Sequence, residues 1–296
     1  EISRLSFFSR RDQSDWSRAW CWFIKRVAQK WGRLVQNNMA AYMQYIQPSC
    51  RALCEAANLI SNRNGWDTEY GLVYDHDNFG ISCFVDCSDF RSTRMGAGPI
   101  ESGPFAARRQ DARHLQRCVF GGHHHVHGVK YEAVVLPNGL AMSFLGPFSS
   151  RRQDRFVTSF TDLNNEFEAA QRQFFDEEEI APDDQRLYCA YGDRIYVNGS
   201  VIRRAHRAPT DAEKAENSVM NSMRTSVEHY FGLEKEILWN LLHQPLDILP
   251  ELNRYIPLVG CILTNAYVCL NASQTAATYD MMPPSIELWF DTLPNN

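Results

Sequence analysis

Hydrophobic positions change period twice along this chain. Within residues 14–62 the apolar residues Trp16, Trp20, Phe23, Val27, Trp31 and Leu34 recur near helical spacing, with Ser14 or Asp15 as a cap. A second helix is expected over 48–60, with Pro48 in its first turn. The stretch NRNGWDTEYG then reads as turns. From residue 79 the period shortens. FGISCFVDCSD predicts a short strand that stops at Asp86, and a glycine-rich loop follows that carries Arg91, Arg94, Arg108, Arg109, Arg113 and Arg117. KYEAVVLPNGLAMSFLG is two apolar runs around Pro137-Asn138-Gly139, a hairpin signal. Helical spacing returns over 154–175 through Phe156, Phe160, Leu163, Phe167 and Phe174, and the acidic run DEEEIAPDD ends it as a solvated loop. LYCAYGD predicts a short buried strand ending at Asp193. Two helices should close the chain, one across ENSVMNSMRTSVEHYFGLEKEILWNLL and one across IPLVGCILTNAYVCL, before an irregular tail containing Pro283 and Pro284.

Strands confined to about residues 80–192, with helices before, between and after them, predict an α/β domain with a helical N-terminal region. The expected divisions are a helical segment over 1–75, an α/β domain over 76–275 and a tail over 276–296. Composition sharpens this picture. A chain of 296 residues, 44% hydrophobic, can bury a sizeable core. A net charge of −5 gives no overall basic field, so contact with a polyanion must come from local basic patches. Nine cysteines without a CxxC pair point to reduced thiols in an intracellular protein rather than to a disulfide framework. No apolar run reaches the length of a membrane span, and no signal-peptide pattern opens the chain.

Candidate chemistry lies in two places. HHHVHG packs His123, His124, His125 and His127 into five positions. On a strand, His123, His125 and His127 would share a face, an arrangement open to a zinc or copper hydrolase. The other place is a set of carboxylates. Asp86 and Asp193 each end an apolar strand, where open α/β sheets form their sites, and Glu228 lies 35 residues beyond Asp193 inside a helix. Three hard oxygen donors of this kind suit Mg²⁺ or Mn²⁺, and a pair of such ions can drive phosphodiester displacement. With 35 acidic residues in the chain, a triple of this spacing is weak by itself.

The text around those acids carries more. FVDCSDFR, GGHHHVHGVKYEAVVLPNGL, FLGPFSSRRQD, YGDRIY, NSVMNSMRTSVEHYFG, LTNAYVC and PPSIELWF follow one another in the order of motifs found in the Harbinger/PIF-like nuclease group of the DDE transposase superfamily. The chain resembles that group over most of its length. The resemblance implies an RNase H-like fold, a central mixed sheet flanked by helices, and it places the catalytic, metal-holding carboxylates at Asp86, Asp193 and Glu228. It implies DNA as substrate, a divalent ion as cofactor, a nuclear location, a Myb-like partner protein and a pairing of two copies, with no membrane. The opening ISRLSFFSRR is similar to the last part of the helix-turn-helix segment with which such chains begin.

This sequence departs from the family pattern at Cys87-Ser88, where Gly-Thr is usual, at Gln153, where His is usual, and at Ser150, where Gly is usual. The alternative to an active nuclease is therefore a domesticated, catalytically idle module that binds DNA or protein with the same fold. Asp154 is the remaining carboxylate of interest, expected as a first-turn charge on a helix or a support for the site. Arg224, four residues before Glu228, is expected to pair with it or to meet the scissile phosphate. Arg151, Arg152 and Lys130 are candidates for phosphate contact, and the resemblance aligns His124 and His127 with the family's histidine positions beside the carboxylates.

Overall fold

Buried and exposed positions do not alternate in the run after Gly80. Ile81 through Val85 are all buried, because this strand lies inside the sheet with neighbours on both edges. In the computed structural model, which describes residues 22–36, 38–92, 117–122, 125–242 and 255–292, that strand is β1 (Ile81–Arg91). It pairs antiparallel with β3 (Val126–Val135) and parallel with β5 (Cys189–Gly192). β5 in turn pairs parallel with β6 (Ile202–Arg204). On its other edge β3 pairs with β4 (Ala141–Ser149), and the two-residue β2 (Phe120–Gly121) also pairs with β3. An antiparallel meander that continues into parallel strands, with helices packed on it, is the mixed α/β, RNase H-like arrangement implied by the resemblance.

Helices cover the sheet. α1 spans 22–31, and α2 (Ile46–Arg63) lays Cys50, Leu53, Cys54 and Ala57 against β1. α3 (Asp154–Thr161) and α4 (Leu163–Glu177) follow β4. The 32-residue α5 (Asp211–Leu242) buries Val219, Met220, Met223, Val227, Tyr230 and Phe231, a stripe at three- and four-residue intervals that packs on β1, β3 and α2. α6 (Ile256–Asn271) lies along α5. Its Asn265 accepts from the Ala141 N–H at 3.0 Å and donates to the Ala141 carbonyl at 2.8 Å, which satisfies the start of β4.

Five expectations need correction. β1 does not stop at Asp86; pairing with β3 carries it on to Arg91, so Asp86 sits in mid-strand. The helix expected over 154–175 is two, broken at Asp162, whose φ of 53° is left-handed. In the N-terminal helix Phe23 faces outward, while Ile24, Val27 and Ala28 form the buried stripe. The tail is not irregular, since Ser285 caps a helix over Ile286–Asp291 that inserts Trp289 fully into the core. HHHVHG is not a continuous strand either: His125 has φ 52° in a turn and β3 begins only at Val126. His123 and His124, like Trp16, Trp20, Arg94, Arg108, Arg109 and Arg113, lie outside the described residues. The eight described cysteines are free thiols, as expected.

Candidate active site

The sheet opens where β5 runs out. Phe84 on β1 pairs with Tyr191 on β5, and pairing ends there. Two residues further along each strand stand Asp86 and Asp193, so both carboxylates arrive at the carboxyl end of the parallel pair. Both line one open cleft of about 1400 Å³, together with Asp154, Lys130, His127 and a set of arginines: Arg117, Arg151, Arg152, Arg155, Arg194, Arg207 and Arg224. The β1–β3–β4 side of the cleft exists because β1 continues past Asp86 and holds β3 and β4 in place beside it.

Asp86 is the most constrained of the acids. Its Oδ1 accepts from the Cys87 N–H at 2.8 Å and its Oδ2 accepts from Arg224 Nη1 at 2.7 Å. Burial raises its proton affinity, Arg224 and the Cys87 N–H oppose that, and Asp154 and Asp193 add to it, leaving a pKa of about 6. Asp154 heads α3 with Gln153 as its N-cap residue, and it takes a short charge-assisted hydrogen bond from Lys130 Nζ. Burial raises the Asp154 pKa, Lys130 lowers it, and Asp193 and Asp89 raise it. Asp193 turns its Oδ1 back to accept from the Ile195 N–H at 2.8 Å, an Asx turn at the strand end.

Glu228 is placed differently. It is half exposed on α5, its side chain 52% accessible, and its Oε1 accepts from Arg224 Nη2 at 2.6 Å. Arg224 thus forks between Asp86 and Glu228, one nitrogen on each, with only 17% of its side chain exposed. Burial works against its charge, but Asp86, Glu228 and Asp193 outweigh that and raise its pKa. The expected pairing of Arg224 with Glu228 is present, and Arg224 bridges in addition to Asp86. Among the described residues no three histidine, cysteine, aspartate or glutamate side chains converge closely enough to hold one ion. The histidine-based metal site has no support among these residues, since His125 lies in a turn outside the strand; His127 instead lines the cleft with its ring 5.0 Å from that of Phe120.

Lys130 is buried on β3 and is spoken for by the Arg152 carbonyl and Asp154. Those two contacts brace the cleft wall, which Lys130 also lines. Arg151 and Arg152 are exposed on the wall. Two features escaped the sequence. Arg155, Arg194 and Arg207 join the cleft, and YGDRIY did carry a signal, an arginine next to a strand-end acid. Glu132 lies buried under the site, registered against Cys87, and accepts from Thr158 and Thr161 of α3. Its signal was a charge inside the apolar run YEAVV.

A cation suits the cleft on the structure's own terms. Asp86, Asp154 and Asp193 bring hard oxygen donors to one cleft, the donor type that Mg²⁺ or Mn²⁺ takes, and an ion there would replace or share the cations that Asp86 and Asp154 already hold, Arg224 and Lys130. Cys87, where the family usually has glycine, does not intrude on that wall with a reactive thiolate: burial drives its pKa well up, and its sulfur accepts from the Tyr196 hydroxyl at 3.6 Å.

A family model described as DDE superfamily endonuclease matches residues 105–265, just over half of the chain. The chain belongs to the DDE superfamily endonucleases. The matched stretch includes Asp154, Asp193, Arg224 and Glu228, while Asp86 precedes it. No curated protein and no solved structure matches. Members of this endonuclease family generally use divalent metals. No helix among the described residues is long and apolar enough to cross a membrane.

Proposed function

We propose that this DDE endonuclease is a metal-dependent DNA nuclease whose cleft cuts phosphodiesters, with strand joining as a second outcome in the manner of a transposase. One observation carries the reading: Asp86 and Asp193, each two residues past the last paired residues of β1 and β5, line the same cleft as seven arginines. Asp86 and Asp193 are the residues that would hold Mg²⁺ or Mn²⁺, in one or two ions, with Glu228 the third carboxylate on the neighbouring helix. When bound, the metal supplies an activated nucleophile and charge stabilisation at the scissile phosphate. The arginines draw the DNA backbone into the cleft and fix its register. Arg224 keeps Asp86 and Glu228 oriented toward each other, and Lys130 holds Asp154 to the wall. A nuclear location, a second copy and a DNA-binding partner protein belong to this proposal as the setting in which such a nuclease would act.

The decisive measurement is nicking of supercoiled plasmid by the purified chain in Mg²⁺ or Mn²⁺. Asp86→Ala and Asp193→Ala are each expected to slow nicking at least about 100-fold. Equal cleavage by Asp86→Ala would refute the site. A second reading, the idle binding module, is favoured by one observation: Arg224 already pairs with both Asp86 and Glu228. Calorimetric titration with Mn²⁺ separates the two, because the idle module shows no heat that depends on Asp86 or Glu228.

A further inference from the structure

α3 is an unusual helix for one that covers a sheet, since it buries only Val157. Its two phenylalanines point the other way. Phe156 is 40% exposed and Phe160 71% exposed, and neither is needed to fill the core. They lie four residues apart, on one face, with rings nearly parallel at 20° and centroids 6.3 Å apart. The row is continuous at both ends. Phe148 of β4 meets Phe160 edge-on at 5.7 Å, and the Arg152 guanidinium sits 4.3 Å over the Phe156 ring. Arg152 is itself part of the cleft wall. A ladder of one guanidinium and two rings therefore leads from the carboxylate cleft out over the surface.

Positive charge adjoins it in the chain: Arg151, just before α3, and Arg155, in its first turn, are exposed and line the cleft. The only acid in α3, Asp154, is already engaged by Lys130. The exposed face of α3 thus offers aromatic faces alongside positive charge, with no anion of its own to oppose a nucleic acid backbone.

We infer that Phe156 and Phe160, continued by Arg152, form a stacking platform for unpaired nucleobases of a DNA strand whose phosphates run along Arg151 and Arg155. A duplex hides its base faces, so the ligand is a single-stranded or frayed end rather than intact double helix. Successive bases stack on aromatic side chains without regard to sequence, and arginine in the same row adds a further planar surface. The inference rests on the proposal that the cleft acts on DNA and extends it: it names the form in which the strand leaves the site. A face of this kind could instead seat a second copy of the chain, and the experiment tells the two apart.

The full chain is titrated, with EDTA present so that nothing is cut, into a fluorescent single-stranded oligonucleotide carrying 2-aminopurine and, separately, into a blunt duplex. The wild type should bind the single strand with quenching of 2-aminopurine. Phe156→Ala with Phe160→Ala should weaken single-strand binding by about 5- to 150-fold per lost stack, while duplex affinity holds. The dependence on salt should not change, because stacking releases no counterions, whereas Arg151→Gln with Arg155→Gln should flatten it. Phe156→Trp with Phe160→Trp keeps the stacking faces and should keep the affinity, which separates stacking from folding. Unchanged single-strand affinity in the alanine pair overturns the platform. So does a wild-type dimer that becomes monomeric in that variant with its DNA affinity intact. A wild type that binds duplex but is indifferent to the phenylalanines removes the platform alone, and one that binds no DNA of either form removes the DNA reading with it.

Discussion

Glu132 stands in the middle of the buried face of β3, 1% exposed, with Thr158 Oγ1 donating to one oxygen at 2.5 Å and Thr161 Oγ1 to the other at 2.8 Å. Burial raises its pKa from 4.5 to about 7, the two threonines lower it, and Asp154 and Asp86 raise it again. The folded protein therefore binds this proton more tightly than the unfolded chain does. Stability contributed by the protonated acid is present in full below pH 4.5 and is lost as pH rises toward 7. Glu132→Gln keeps an acceptor for the threonines and removes the ionisation. Urea unfolding across pH should show the variant gaining on the wild type between about 4.5 and 7 and holding a constant lead above that, with little difference below. A constant offset at every pH would mean that Glu132 acts by packing alone. The residue scale was also where the sequence said most about the site. Asp86 and Asp193 were legible because each ends or interrupts an apolar strand run, and Glu228 because Arg224 sits one helical turn before it. That Arg224 also reaches Asp86 was not legible, since 138 residues separate the two.

At the scale of elements, β3 is the strand on which the cleft depends, because it joins β1 to β4 and carries both Lys130 and Glu132. Gly128 lies within it. It is a point of close approach: a Cβ there would sit 2.3 Å from the Phe90 carbonyl oxygen and 3.3 Å from Ser150 Oγ. Gly128→Ala must push β1 away from β3 beside Arg91, and backbone cannot yield as a flexible side chain would. The expected cost is about 1–3 kcal/mol in chemical denaturation. An alanine variant as stable as the wild type would show that the strand ends move freely. The hairpin itself was read correctly, as PNG supplies Gly139 at φ 86° between two apolar runs. The length of β1 was not. Residues 86–89 are half-buried and partly polar, which looks like a strand end in sequence, yet antiparallel pairing from Phe84 to Arg91 extends it. The division of the helix after residue 153 was likewise hidden, because the apolar spacing runs on through Asp162, the left-handed residue between the two helices.

Across the whole molecule, the two ends of the described chain are tied together. Trp289 is fully buried, and its Nε1 donates to the Tyr42 hydroxyl at 2.9 Å, which in turn donates to the Leu34 carbonyl at 2.8 Å. Asn38 donates to the Thr292 carbonyl at 3.0 Å. Trp289→Ala would open a large cavity and remove the donor to the Tyr42 hydroxyl, at a cost of about 3–5 kcal/mol. Thermal unfolding should then occur in a single step at lower temperature; a variant that loses only the C-terminal helix, leaving the main transition in place, would show the tail to be an independent layer. From sequence these last residues read as an irregular segment behind two prolines, since a six-residue helix is too short to show a period and its warrant is one buried tryptophan.

Sequence alone determined most of the strands and helices and their order, the acids that interrupt or follow apolar strand runs, and the family pattern, because each is written in residues close to one another in the chain. The tertiary structure decided what those residues do to each other: that Asp86 and Asp193 share one cleft, that Arg224 forks between Asp86 and Glu228, that Lys130 is a brace, and that Phe156 and Phe160 face outward. Most of these are contacts between segments tens to more than a hundred residues apart, and local periodicity carries no information about which distant charge or ring a folded sheet will bring alongside.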